Sequence, residues 1–226
     1  MTSDYLRKII CKLKSNCGNN SGFKILIHDE KKQKVGTLRL IDKGLANNAE
    51  LIVALTKWRN NAMQFFLSQF VATKERTEQW LSNVAISSHD RLLFVVEDNS
   101  GNYVGNVGIS NFSSSEAELD NFIRGESGGD PKLILYAELS MLRWIYCNFD
   151  VVKVKLQVFS NNWIPISIHL SIGFEITEKC MLSKTSNGSD VQYHINSTEG
   201  EPVNFSYLQM VLTRNNFFEV NSNYKC

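Results

Sequence analysis

The spacing of apolar and polar residues changes period several times along this chain. Residues 23–28 (FKILIH) and 35–41 (VGTLRLI) read as strands, and the charged stretch 29–34 between them predicts a hairpin. From residue 47 the period lengthens. Leu51, Ala54, Leu55 and Trp58 share one helical face over 47–60, with an asparagine available to cap the start. A second helix is predicted over 73–84, where Thr73 leads into Trp80, Leu81 and Val84. Two apolar runs, 91–97 and 103–110, flank the turn Asp98-Asn-Ser-Gly101 as a second hairpin, and 116–124 continues as a third strand. A glycine-rich loop, 125–132, then opens a long helix over 132–147. The strand 152–159, a helix over 161–171 with Pro165 in its first turn, and a strand over 174–182 follow. Residues 184–190 read as a loop, 207–212 as the last strand, and the Asn-rich residues 215–226 as a frayed tail. The order predicts a mixed α/β sheet.

Composition adds bounds. The 226 residues, 43% hydrophobic and 21% charged, fit one soluble domain that needs no staple. We expect that domain over 22–214, with residues 1–21 an extension or linker and 16–22 a loop within it. The net charge of +1 gives no support to nucleic acid or a membrane surface as partner. Five scattered cysteines without a CxxC pair read as reduced thiols in a cytoplasmic protein, and no metal site is read.

Candidate chemistry begins at the strand, loop and helix spanning 119–147. Glycines before a helix start let backbone N–H groups approach an anion, and Arg124 and Lys132 flank the loop, so a pyrophosphate is the natural occupant. The ordinary alternative is a plain strand-to-helix turn. There is no GK[ST] and no GxGxxG, which excludes the Walker and Rossmann readings. Downstream, Asn162, His169 and Gly173-Phe174 follow one another at spacings of 7, 4 and 1.

The run KVKLQVFSNNWIPISIHLSIGFEI resembles the closing motif of the GNAT superfamily of acyltransferases. ELDNFIRGESGGDPK and the helix LILYAELSMLRWIYCNF stand where that family has its coenzyme A loop and helix. The resemblance implies a GNAT-like α/β (α+β) fold: a mostly antiparallel, seven-stranded sheet splayed between two parallel central strands, with helices on both faces. It implies acetyl-CoA as the donor, its pantetheine arm between strands 119–124 and 154–159. Cofactor contacts then fall on Asn121, Phe122, Ile123, Arg124, Gly128, Gly129, Lys132 and Asn162, with an oxyanion donor among the backbone N–H groups of 121–123. The family loop pattern Q/R-x-x-G-x-G/A is not met, because Lys132 and Ile134 stand at its last two small positions.

His169 stands where many members carry a tyrosine that protonates the departing thiolate, a step an imidazole can perform; the alternative is a histidine packed beside Phe174. Glu118 and Asp120 alternate onto one face of the strand beside the thioester and are candidate bases, or else solvated carboxylates. Trp58, Arg59 and Asn60 end the first helix, near where the family places acceptors; Trp58 also reads as core, Arg59 suits a diphosphate, and His194 is a weaker option. Within the superfamily the chain is most similar to sugar-nucleotide N-acetyltransferases acting on 4-amino-4,6-dideoxy sugars. The implied partner is a small molecule, a nucleotide-linked amino sugar, and a homodimer is compatible. Ribosomal-protein or protein N-terminal acetylation, and a non-catalytic GNAT-like module, are the competing readings.

Overall fold

The computed structural model describes residues 3–15 and 22–226, so most of the loop expected over 16–22 lies outside the described residues. An eight-stranded sheet organises the chain, one strand more than expected, in the order β1-β2-β4-β5-β6-β7-β12-β8. Its strands are β1 (Lys24–His28), β2 (Lys34–Leu40), β4 (Leu92–Asp98), β5 (Tyr103–Ser110), β6 (Glu116–Arg124), β7 (Lys153–Phe159), β8 (Glu175–Cys180) and β12 (Tyr207–Thr213). Every neighbouring pair is antiparallel except β6 and β7.

The central strand β4 shows why helices must cover both faces. Leu92, Phe94 and Val96 belong to one apolar cluster, Leu93 and Val95 to the other. The first cluster packs against α4 (Leu133–Asn148), α5 (Trp163–Ile172), the amino-terminal helix α1 (Ser3–Lys14) and α6 (Arg214–Val220). The second packs against α2 (Ala49–Asn61) and α3 (Lys74–Trp80), the latter continued by a π-helical turn, Leu81–Ile86. Helices α2 and α3 begin where the sequence supplies an acceptor: the Asn48 side chain accepts from Leu51 N at 2.8 Å, and Thr73 Oγ1 from Arg76 N at 3.3 Å. Gly173, at φ +106°, ends α5 in the left-handed conformation that glycine adopts without strain.

Three expectations are corrected. Residues 184–190 are not a loop: β9 (Leu182–Asn187) and β10 (Asp190–Ile195) form a hairpin in a second sheet, ordered β11-β9-β10-β3, with β11 (Glu201–Pro202) and β3 (Ser68–Gln69). Its strands carry too few apolar residues to reveal themselves. The tail is not frayed, because α6 buries Phe217 completely. Nor are all the thiols reduced, since Cys147 on α4 is bonded to Cys226, while Cys11 and Cys180 are free. The amino-terminal segment is a docked helix: Leu6 and Ile10 enter the core, and buried Lys14 donates to Ala85 O and Ser88 O at 2.7 Å each. That ammonium satisfies carbonyls where the π-helical turn ends. Among the described residues no helix is long and apolar enough to cross a membrane.

Candidate active site

The site arises from a failure of pairing. Strands β6 and β7 are bridged only at Glu116–Lys153, Ala117–Val154 and Glu118–Lys155. Beyond that point the facing edges of 119–124 and 156–159 have no strand partner among the described residues, although both strands continue. Free N–H and C=O groups on such an edge call for a ligand that pairs as a strand does.

A bulge in β6 shapes the opening. Gly108 faces Asp120 while Asn106 faces Ile123, so β6 holds one residue more than β5 over this stretch. Asn121 sits at φ +51°, and its carbonyl accepts from Asn106 Nδ2 at 2.5 Å. The extra residue resets the alternation. Leu119 and Phe122 face the α4 side, while Asp120 and Ile123 face α2 and α3.

On the α2 and α3 side lies a cavity of about 710 Å³, whose floor includes Asp120, Asn121 and Ile123 from the splayed strand. Its wall carries Phe66, Phe70, Trp80 and Asn83, with three guanidinium groups from Arg59, Arg76 and Arg91. Arg59 lies 3.7 Å from the centroid of Phe66 and 5.1 Å from that of Phe70. Its Nη2 donates to Ser68 O at 2.6 Å, while buried Nη1 has no hydrogen-bond partner among the described residues. Burial lowers the Arg59 pKa from its ordinary value, so the site holds a cation still short of a counter-charge. Arg91 pairs with Asp120, and Asp190 at the start of β10 also lines the cavity.

On the α4 side His169 is 4% exposed, with Phe122 and Phe174 5.4 and 5.5 Å away, centroid to centroid. Its Nδ1 lies 2.8 Å from Glu138 Oε1, and Glu138 is fully buried. The ring is thus both packed beside Phe174 and paired to a carboxylate from α4.

The Asn121 N–H is taken by Asp120 Oδ1 at 2.7 Å, leaving Phe122 and Ile123 as the other bulge-adjacent positions. Arg124 does not extend toward a ligand; its guanidinium donates to the carbonyls of Ser127, Gly128, Asp130 and Pro131, holding the loop from within. Gly128 and Gly129 pack over Asp98, with Gly129 at φ +71°. Lys132 is ion-paired to Glu30 at 3.0 Å on the surface. Asn162 precedes α5 with no side-chain cap bond.

Trp58 is in the core, 1% exposed, donating to Glu126 Oε1 at 3.0 Å and packed under Gly125. Asn60 is spent on the α2–α3 connection, accepting from Ala72 N at 2.8 Å and donating to its carbonyl at 3.0 Å. Glu118 accepts from Asn111 at 2.7 Å, outside the cavity lining. His194 bonds Thr185 at 2.9 Å on β10, also away from the cavity. So the cavity brings together Arg59 and Asp120, and His169 stands across the splay.

Sequence reasoning missed Phe66, Phe70, Arg76, Arg91, Glu138 and Tyr207. Tyr207 belongs to the same neighbourhood: its pKa is pushed up by burial, then by the Glu118 and Asp120 carboxylates. Glu138 left a signal, being the one acidic residue in the helix LILYAELSMLRWIYCN.

A sheet open between its two parallel strands, with helices on both faces, is the fold shared by GCN5-related N-acetyltransferases. Structures similar to this one include apo FdhC, a nucleotide-linked sugar GNAT (14% identity, TM-score 0.62, 89% of this chain and 96% of that one). Spermidine N-acetyltransferase from Vibrio cholerae, solved with CoA and spermine, is similar at 17% identity and TM-score 0.62, over 81% of this chain and 98% of that one. A GCN5-related N-acetyltransferase from Brucella melitensis gives 14%, TM-score 0.60, and coverage of 89% and 87%. No protein-family model and no curated protein matches the sequence.

Proposed function

We propose that the chain is an acetyl-CoA-dependent N-acetyltransferase whose acceptor is the amino group of a nucleotide-linked sugar. One observation carries the reading: the unpaired edge of β6 is also the floor of the cavity. A donor arm lying between β6 and β7 would present its thioester to an amine held among Arg59, Phe70 and Asp120. Backbone groups of 119–124 suit the amides of a pantetheine, and the loop held by Arg124 suits its phosphates. Acetyl-CoA supplies an activated acyl group, and the protein aligns the two reactants, which alone can lower a barrier by about 7–11 kcal/mol. Asp120, in the cavity floor, takes the amine proton directly or through water. His169 stands on the opposite face of the sheet to protonate the departing sulfur.

Charge selects the acceptor class. Among the described residues only Arg91 of the cavity's three guanidinium groups is ion-paired, to Asp120 in the floor, so the lining favours an anionic acceptor. A polyamine, the ligand named for the Vibrio cholerae enzyme, would meet these cations unfavourably. Phe66 and Phe70 offer faces for a base, and unpartnered Arg59 Nη1 suits a diphosphate.

The test is release of free CoA thiol from acetyl-CoA with three acceptors: a nucleotide-linked 4-amino-4,6-dideoxy sugar, spermidine and an N-terminal peptide. Turnover with the sugar nucleotide alone is expected. Turnover with spermidine or peptide alone would overturn the acceptor, and no binding of millimolar acetyl-CoA would overturn the enzyme.

A further inference from the structure

Helix α4 buries a carboxylate where its neighbours are apolar. Ile134, Met141, Leu142 and Ile145, on the same side of the helix as Glu138, are all in the core. Glu138 is itself 0% exposed, and its Oε2 has no hydrogen-bond partner among the described residues. A sealed carboxylate with half its acceptor capacity unfilled is unfavourable, and a leucine would pack there without that penalty. Packing therefore does not explain the residue. Its one contact does: Oε1 meets His169 Nδ1 at 2.8 Å.

We infer that Glu138 is the positioning residue of the reaction, fixing the proton of His169 on Nδ1 and aiming Nε2 at the splay. This rests on the acetyltransferase reading proposed above. An imidazole in water favours the proton on Nε2; a carboxylate on Nδ1 reverses that choice. Among the described residues Glu138 is the charged group in contact with the ring; Phe122 from β6 and Phe174 after α5 supply its other neighbours, and Nε2 makes no hydrogen bond.

In the step that follows, the amine nitrogen forms its bond to the acyl carbon and the carbon–sulfur bond breaks. The proton on Nε2 of the imidazolium passes to sulfur, while the proton lost by the amine goes to Asp120 or water. His169 is left neutral with Nδ1–H still on Glu138, ready to regain a proton from solvent. Glu138 touches neither reactant and acts through the ring alone.

The test combines kinetics with nitrogen NMR of the histidines in the whole protein. H169F is expected to lower kcat about 100-fold and E138L about 10- to 100-fold, each with little change in the KM for acetyl-CoA. In the H169F background E138L is expected to change kcat less than twofold. E138Q keeps volume and an acceptor for Nδ1–H, so it should retain the Nδ1–H form and lower kcat less than E138L does. NMR should find neutral His169 protonated on Nδ1 in the wild type and shifted toward Nε2 in E138L. An Nε2–H form in the wild type overturns the inference, as does an E138L loss equally large with and without His169, or no loss at all. If every tested acceptor fails while the Nδ1–H form holds in the wild type and is lost in E138L, the positioning stands and the acetyltransferase reading falls.

Discussion

Replacing Arg59 by methionine isolates the acceptor charge from the acceptor shape. Methionine keeps an unbranched, polarizable chain between Phe66 and Phe70 but removes the guanidinium. The free enzyme loses one hydrogen bond, Nη2 to Ser68 O, and the guanidinium's contacts over Phe66 and Phe70, and is relieved of a half-buried cation whose Nη1 is unpartnered, so its stability should change by no more than about 1 kcal/mol. The Michaelis complex loses more, because Nη1 is the group available to a phosphate oxygen. A hydrogen bond between charged partners contributes about 1.5–3 kcal/mol, which is about 12- to 160-fold in kcat/KM for the nucleotide-linked acceptor. The KM for acetyl-CoA should not move, since Arg59 lies on the other side of the splay from His169. Initial rates of thiol release, measured with the sugar nucleotide and with the same amino sugar lacking its nucleotide, separate the cases. The deficit should vanish for the truncated acceptor. A kcat/KM for the full acceptor within twofold of wild type, in a variant of unchanged Tm, would refute the role given to Arg59.

Other consequences can be measured alongside. Replacing Arg124 by alanine frees four loop carbonyls and should raise the KM for acetyl-CoA at least about tenfold, with the acceptor KM unchanged. Burial lowers the Lys14 pKa from 10.5 to about 8, so the folded chain gives up this proton before the unfolded chain does. Stability from this group therefore rises with pH between about 8 and 10.5 and falls as pH drops through 8; between pH 7 and 10 wild type should gain about 2 kcal/mol on Lys14→Met in paired melts. The disulfide closes a span of 79 residues, and reducing it should lower stability by about 2–4 kcal/mol, read as a lower Tm.

Much of the fold was legible because its strands are strongly patterned. The Phe94 and Val95 strand, the Thr73 cap and the Gly173 stop each state their conformation in residue type. The β9–β10 hairpin was not, although its Asn187-Gly188 turn is a hairpin signal, because SKTSN and DVQYH lack an apolar face. The bulge at Asn121 was hidden for another reason: one inserted residue reverses which side chains face which helix, and only the register with β5 exposes it. Arg124 read as a phosphate ligand from its position, whereas the loop carbonyls, invisible to residue type, claim it. Glu138 could have been found, as a lone acid on the core face of an apolar helix is a sequence signal in its own right.

Binding of acetyl-CoA as proposed requires its tail to pair with a strand edge that the neighbouring strand leaves open. Hydrogen exchange followed by mass spectrometry, with and without saturating acetyl-CoA, reads that edge directly. Amides in 119–124 and 156–159 should exchange more slowly with the ligand, while those of β4, already paired on both sides, stay as they were. Unchanged exchange in 119–124 at millimolar acetyl-CoA, or protection confined to a surface elsewhere, would contradict it.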